Sequence, residues 1–259
     1  MTVAAVLFDL DDTLVADAAA TEAAFLAACA PARARHGLDP ATLTAAVRRH
    51  ARRLWQAAPT SGYCRAIGIS STEGLRAGFA GDDPHLAALR AWAPTYRDEA
   101  WSAALAGCGV RDAALAEELA TAFIAERGAR HWVFEDVAPA LGALGRTHRL
   151  ALVTNGAPDL QRAKFAGAGL AQFFDAVVVS GEIGAGKPDA RPFAVALAAL
   201  RADPARAVMV GDSPDRDLAG ARNAGIAGIW IDRRGSAAVA DSPIPEPRIG
   251  DLHQLLPLL

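Results

Sequence analysis

The chain has 259 residues, of which 52% are hydrophobic, 21% charged and 6% aromatic; 26 basic side chains face 29 acidic ones, for a net charge of −3. This balance excludes a disordered chain, a collagen-like repeat and a disulfide-built scaffold, and it disfavours a general nucleic-acid surface, which would be basic. The length suffices for one large domain or two modest ones with a self-sufficient core.

The first dozen residues carry no basic side chain, and aspartates follow their short apolar run. This reads as neither a secretory leader nor a transit peptide. No stretch approaches ~18 uninterrupted apolar residues, so no membrane span is expected. Cys29, Cys64 and Cys108 are odd in number and form no CxxC pair. They read as reduced thiols of a cytoplasmic protein.

In chain order, a β-rich run over residues 3–8 comes first and ends in Asp9-Leu10-Asp11-Asp12-Thr13. Residues 17–132 then contain no convincing strand. They read as alanine-rich helices over 18–35, 40–57, 84–105 and 112–126, punctuated by Pro, Gly and Ser near 59–62, 68–71 and 81–84. Further apolar runs follow at 150–153, 176–179, 207–210 and 226–231, separated by helical segments at 158–166, 191–200 and 214–224. Residues 233–247 read as loop and 251–256 as a short terminal helix. Strands alternating with helices predict an α/β fold, a Rossmann-like doubly wound parallel sheet. Continuously apolar strands suit a sheet covered on both faces. The predicted division is a core of 1–16 and 133–259 interrupted by an all-helical cap, 17–132. An insertion after the first strand leaves from the carboxyl end of the sheet, where open α/β sheets place their ligands.

Four short stretches carry chemistry. In extended backbone, residues two apart point the same way, so Asp9 and Asp11 present two carboxylates to one place. Their repulsion calls for a cation or a shared proton. A plain polar turn is the alternative, but three acids after a buried strand are a costly way to make one. A calcium loop does not fit, because it needs Gly and Glu where Leu14 and Ala20 stand. The run 208–217 again ends an apolar strand in aspartate, Asp212. Ser213, Pro214 and Asp215 suit a helix start, whereas Asp212 is not needed for capping. Asp217 either reaches the same place or lies on the helix surface. Thr154, Asn155 and Gly156 follow the strand at 150–153 and offer a hydroxyl and backbone N–H groups to an anion. Lys187 closes a GxxxxGK run from Gly181, but Pro188 stands where a nucleotide-binding loop requires Ser or Thr.

Taken in order, DxDxT at Asp9 to Thr13, Thr154, Lys187 and GDxxxxD at Gly211 to Asp217 resemble the haloacid dehalogenase-like hydrolase superfamily. The likeness spans the whole chain, helical insertion included. It is nearest the lidded phosphatase branch, such as phosphoglycolate phosphatases and sugar-phosphate and nucleotide phosphatases. The resemblance implies Mg²⁺-dependent hydrolysis of small phosphorylated metabolites through an aspartyl-phosphate. It makes Asp9 the nucleophile and Asp11 the general acid and base. Mg²⁺ would be held by Asp9, the Asp11 carbonyl and Asp212. Thr154, Asn155 and Lys187 would hold the phosphoryl group, and Asp217 would orient Lys187 or a metal-bound water. No nucleic-acid or membrane partner is implied. Dehalogenases of the superfamily are similar but lack a carboxylate two residues after the nucleophile and need no Mg²⁺. A phosphomutase and a non-catalytic phosphometabolite-binding module remain alternatives.

Within the helical insertion, Trp55, Tyr63 and Arg65 are the candidate substrate contacts. Arg48, Arg49, Arg52 and Arg53 share one helical face and read as a solvated cationic surface or a site for a second anionic group. The six histidines form no HExxH or other metal spacing, and no GxSxG is present.

Overall fold

The computed structural model describes residues 3–58, 60–235 and 247–259. Six parallel strands form one sheet: β1 (Ala5–Phe8), β2 (Arg149–Thr154), β3 (Ala176–Val179), β4 (Ala207–Gly211), β5 (Ala227–Ile231) and β6 (Arg248–Ile249), in the order β3-β2-β1-β4-β5-β6. The chain first builds outward from β1 through β2 to β3, then crosses back to β4 on the other side of β1. The strand order therefore reverses at β1 and β4, and a crevice opens at their carboxyl ends. Phe8 aligns with both Leu152 and Val210, so three strands end almost level.

The contacts divide into two compact units. One comprises Met1–Ala16, Trp132–Asn155 and Gln161–Leu259; the other comprises Asp17–His131 and Gly156–Leu160.

The second unit is helical: α1 (Asp17–Ala28), α2 (Ala30–His36), α3 (Pro40–Gln56), α4 (Ser61–Ile67), α5 (Ser71–Gly74), α6 (Pro84–Gly107) and α7 (Ala113–Gly128). Asp39, Asp83 and Asp112 start α3, α6 and α7 by accepting from the backbone N–H of Thr42, His85 and Leu115. Phe25 stacks on Phe123 at 4.0 Å, with Trp101 beside both. The buried Arg127 guanidinium pairs with Asp17 and donates to the Thr21 hydroxyl. The helix expected over 18–35 is two helices, broken at Cys29. Pro31 lacks an N–H and suits a first helical turn, where that donor has no partner to lose, so α2 starts afresh around it.

In the first unit, alternate strand residues feed opposite faces. Val6, Phe8, Leu150, Leu152, Val208 and Val210 pack on one side with Leu141 and Leu144 of α8 (Val137–Leu144). Ala5, Leu7, Ala151, Val153 and Met209 pack on the other with Phe193, Leu197 and Leu200 of α11 (Arg191–Leu200). Between these helices lie α9 (Pro158–Gly167) and α10 (Ser180–Ile183), and α12 (Ala219–Asn223) follows β4. The helix expected from 214 begins instead as a π-helical turn, Pro214–Leu218. The end of the chain forms turns and one 3₁₀ turn at Leu256–Leu258 rather than a helix over 251–256. Of the loop expected over 233–247, residues 236–246 lie outside the described residues.

Candidate active site

Asp9 is the first residue beyond β1. Its N–H donates to the Val210 carbonyl at 3.0 Å, and it is 6% exposed. Lys187 Nζ reaches Asp9 Oδ1 at 2.5 Å, Asp217 Oδ1 at 2.6 Å and the Val153 carbonyl at 2.8 Å. The Thr13 hydroxyl donates to Asp9 Oδ2 at 3.3 Å. One buried ammonium thus ties the ends of β1, β2 and β4 together. Its own loop is fixed by a reciprocal pair: the Lys187 N–H donates to Asn155 Oδ1 at 2.8 Å, and Asn155 Nδ2 donates to the Lys187 carbonyl at 2.9 Å. Asp217, 1% exposed, comes back toward the strand end through the π turn and accepts from the Ser213 N–H at 3.0 Å. Asp212 is held through its backbone, whose carbonyl accepts from the Trp230 indole N–H at 2.9 Å.

These residues surround a cleft of about 260 Å³. Asp9, Asp11, Thr154, Asn155, Lys187, Asp212 and Asp217 all line it, joined by Asp12, Ser213 and Arg216. The residues expected in the first unit therefore come together. In the helical unit, Trp55 lies in the core, its ring against those of Phe79, Trp92 and Tyr96. Tyr63 is half-buried and stacks on His85 at 4.5 Å. Arg65 is exposed. Arg48 pairs with Glu22 at 2.8 Å and lies over the Phe25 ring, while Arg49, Arg52 and Arg53 are exposed.

Sequence reasoning missed four side chains. Gln161 and Lys164 of α9 bind the Asp11 carboxylate. Arg233 donates to the Thr13 carbonyl through Nε at 3.1 Å and Nη2 at 2.8 Å, and its Nη1 donates to both carboxylate oxygens of Asp136 at 2.8 and 2.7 Å. Arg216 stands exposed at the cleft. The first two meet Asp11 across 150 and 153 residues of sequence, and no local pattern announces that contact. Nothing local signals Arg233, whose partners are 97 and 220 residues away.

The electrostatics are those of an acid cluster short of positive charge. Oxygens of Asp9, Asp212 and Asp217 lie within 4.8 Å of one another. Burial pushes Asp9 up to about 6, a shift that Lys187 opposes and Asp217 reinforces. Burial, then the charges of Asp9, Asp217 and Asp12, push Asp212 up to about 8. Burial works against the charge on Lys187 too, but Asp217 and Asp9 outweigh it and hold its pKa above the usual lysine value. Three carboxylates against one ammonium leave two negative charges uncompensated. An all-oxygen donor set with that excess fits a hard divalent cation such as Mg²⁺.

A sequence model of the haloacid dehalogenase-like hydrolase family matches residues 3–225. The chain belongs to that family. A phosphoserine phosphatase of Thermus thermophilus is 40% identical to this family member over 251 residues, 96% of each chain. Human N-acylneuraminate-9-phosphatase is 35% identical over 152 residues, covering 58% of this chain and 61% of its own. Phosphoglycolate phosphatase of Caulobacter vibrioides is 42% identical over 83 residues, 32% of this chain and 35% of its own. These relatives place the chain among the phosphatases of the family, and so among enzymes. Of solved structures, a 2-haloacid dehalogenase of Pseudomonas syringae superposes with a TM-score of 0.61 at 29% identity, over 99% and 98% of the two chains. The magnesium-bound hydrolase YfnB of Bacillus subtilis gives 0.68 at 20%, over 100% and 99%. Both share the fold described above.

Proposed function

We propose that this enzyme is a Mg²⁺-dependent phosphomonoesterase of the cytoplasm that acts on small phosphorylated metabolites, with phosphoserine the first substrate to try. The observation that carries the reading is Lys187 bridging Asp9 and Asp217 in a cleft that Thr154, Asn155 and Asp212 also line. A near-complete relative named for phosphoserine supports the substrate class.

In this reading Asp9 attacks phosphorus through a carboxylate oxygen, and the bond from phosphorus to the leaving oxygen breaks. Asp11 gives the departing oxygen its proton. It then takes a proton from the water that attacks the aspartyl-phosphate, and the bond from phosphorus to Asp9 breaks to release phosphate. Lys187 offsets charge on the nucleophile and the transferring group, while the Thr154 hydroxyl and the Asn155 N–H hold phosphoryl oxygens. Asp217 keeps the ammonium aimed at Asp9. Asp9, Asp212 and the Asp11 carbonyl would hold the cation, which supplies positive charge for the phosphoryl oxygens when bound. We assign substrate choice to the helical unit, with Tyr63 and Arg65 as the side chains to vary first.

The test is phosphate release from phosphoserine, phosphoglycolate, sugar phosphates and nucleoside monophosphates, with Mg²⁺ and with EDTA. Release that needs Mg²⁺ and vanishes in Asp9→Asn is the expected result. No release from any substrate, with halide freed from a 2-haloacid in EDTA, would replace this reading by dehalogenation.

A further inference from the structure

Asp11 stands apart from the other site carboxylates. The group with oxygens within 4.8 Å of one another comprises Asp9, Asp212 and Asp217, without Asp11. Asp11 is bound instead from α9. The Lys164 ammonium contacts its Oδ1, and Gln161 Nε2 donates to its Oδ2 at 3.2 Å. The same Gln161 nitrogen donates to the Asn155 carbonyl at 2.9 Å. Lys164 is 3% exposed and Gln161 1%, while the Asp11 side chain is 31% exposed. Two inward groups thus hold an outward one.

This arrangement is a poor way to gain stability. A buried ammonium carries a large desolvation cost, and an apolar side chain of similar volume would pack as well or better. It is a good way to fix a carboxylate. Residues three apart on a helix share a face, so Gln161 and Lys164 approach Asp11 from one rigid element. A carboxylate has about four lone-pair positions, and contacts on both of its oxygens set its plane. Because Gln161 also binds the Asn155 carbonyl, Asp11 and the strand end that carries Thr154 are fixed in one frame.

We infer that Gln161 and Lys164 are positioning residues for Asp11: they anchor its carboxylate so that it can pass a proton to the oxygen leaving phosphorus. The inference rests on the phosphatase reading and adds the residues that make its proton donor effective.

A leaving group's need for a proton separates positioning from mere structural support. An alkoxide such as that of serine must be protonated as the bond from phosphorus breaks, whereas p-nitrophenolate departs without a proton. The value of kcat/KM reports the steps through that cleavage. Gln161→Leu and Lys164→Met are therefore compared with wild type on phosphoserine, or the best alkyl phosphate found, and on p-nitrophenyl phosphate. The expected loss is roughly 10- to 100-fold on the alkyl ester, part of the ~10²–10⁴ that acid catalysis supplies, and under about threefold on the aryl ester. Equal losses on both esters would reduce the pair to structural support and overturn the inference. A gain on the alkyl ester would also overturn it, by showing a restraint on Asp11. If Lys164→Met does not fold, Gln161→Leu decides by the same ratio, since it removes no charge. A wild-type enzyme inert on both esters would overturn the phosphatase reading, and this inference with it. An active wild type with equal losses in the variants would overturn this inference alone.

Discussion

A β-carbon on Gly211 would lie 2.3 Å from the carboxyl carbon of Asp217. No real β-carbon approaches another atom so closely, and Asp217 cannot yield easily. Its carboxylate is held by Lys187 and by the Ser213 N–H, and its backbone belongs to the π turn. The glycine of the GDxxxxD run is therefore the space into which the carboxylate of that run's second aspartate fits. Gly211→Ala is expected to push Asp217 off Lys187 and cost about 10²-fold in kcat, the scale of a ~1 Å misplacement of a catalytic group. Activity within threefold of wild type would show that the turn relaxes at no cost.

Asp9→Asn keeps the shape of the side chain and removes the nucleophile. It is expected to leave a folded protein with no measurable turnover. Asp11→Asn removes the proton donor and acceptor alone, and should lower kcat by ~10²–10⁴. Steady-state phosphate release measures both, with circular dichroism as the check on folding. A loss below tenfold in Asp11→Asn would remove Asp11 from the reaction.

Much of this site was legible in the sequence because its parts lie at strand ends. An apolar run that stops in aspartate announces both the strand and the place of its carboxyl end, as β1 does for Asp9 and β4 for Asp212. The parallel sheet then brings these ends level. What could not be read was held together over long separations. Arg233 meets Thr13 across 220 residues, and α9 meets Asp11 across about 150. The two-residue β6 has too few positions for any period to show. The π turn at Pro214–Leu218 hides behind an ordinary helix-start pattern, because Ser213, Pro214 and Asp215 suit either. Trp55 reads as a candidate contact although a Trp on such a helix is more often core, and the rings of Phe79, Trp92 and Tyr96 that hold it in the core are scattered over 18 residues of sequence.

Metal binding should depend on pH in a direction the cluster fixes. Burial and the neighbouring carboxylates raise Asp212 to about 8 and Asp9 to about 6 without a cation. The folded metal-free protein therefore binds more protons than the unfolded chain above the usual carboxylate pKa of ~4. Its stability falls as pH rises through these raised values. A cation must displace those protons, so its apparent affinity should fall about tenfold per pH unit below about 8, and more steeply below about 6. Titration calorimetry with Mg²⁺ at pH 6, 7 and 8 measures this. At 100 times the Kd, Mg²⁺ should stabilise the fold by ~2.7 kcal/mol. An affinity that does not change from pH 6 to 8 would take Asp212 out of the metal site.

Arg233 offers a prediction outside the chemistry. Its guanidinium stacks on the Phe134 ring at 4.2 Å, binds Asp136 through both carboxylate oxygens and holds the Thr13 carbonyl. Asp136 also accepts from the Leu252 N–H at 2.6 Å. Burial favours its neutral form, but the Leu252 and Arg233 hydrogen bonds prevail and hold its pKa below the usual carboxylate value. A depressed pKa contributes stability that is present above ~4 and lost as pH falls through the folded value. Both side chains are about nine-tenths buried, so Arg233→Met leaves Asp136 unpaired and should cost ~3–5 kcal/mol. The variant should also lose the part of the acid-induced destabilisation that Asp136 carries. Urea unfolding of both proteins at pH 7 and pH 3 tests the pair: the stability difference should be large at pH 7 and shrink at pH 3. A difference independent of pH would mean that Arg233 acts through Phe134 and Thr13 rather than through Asp136.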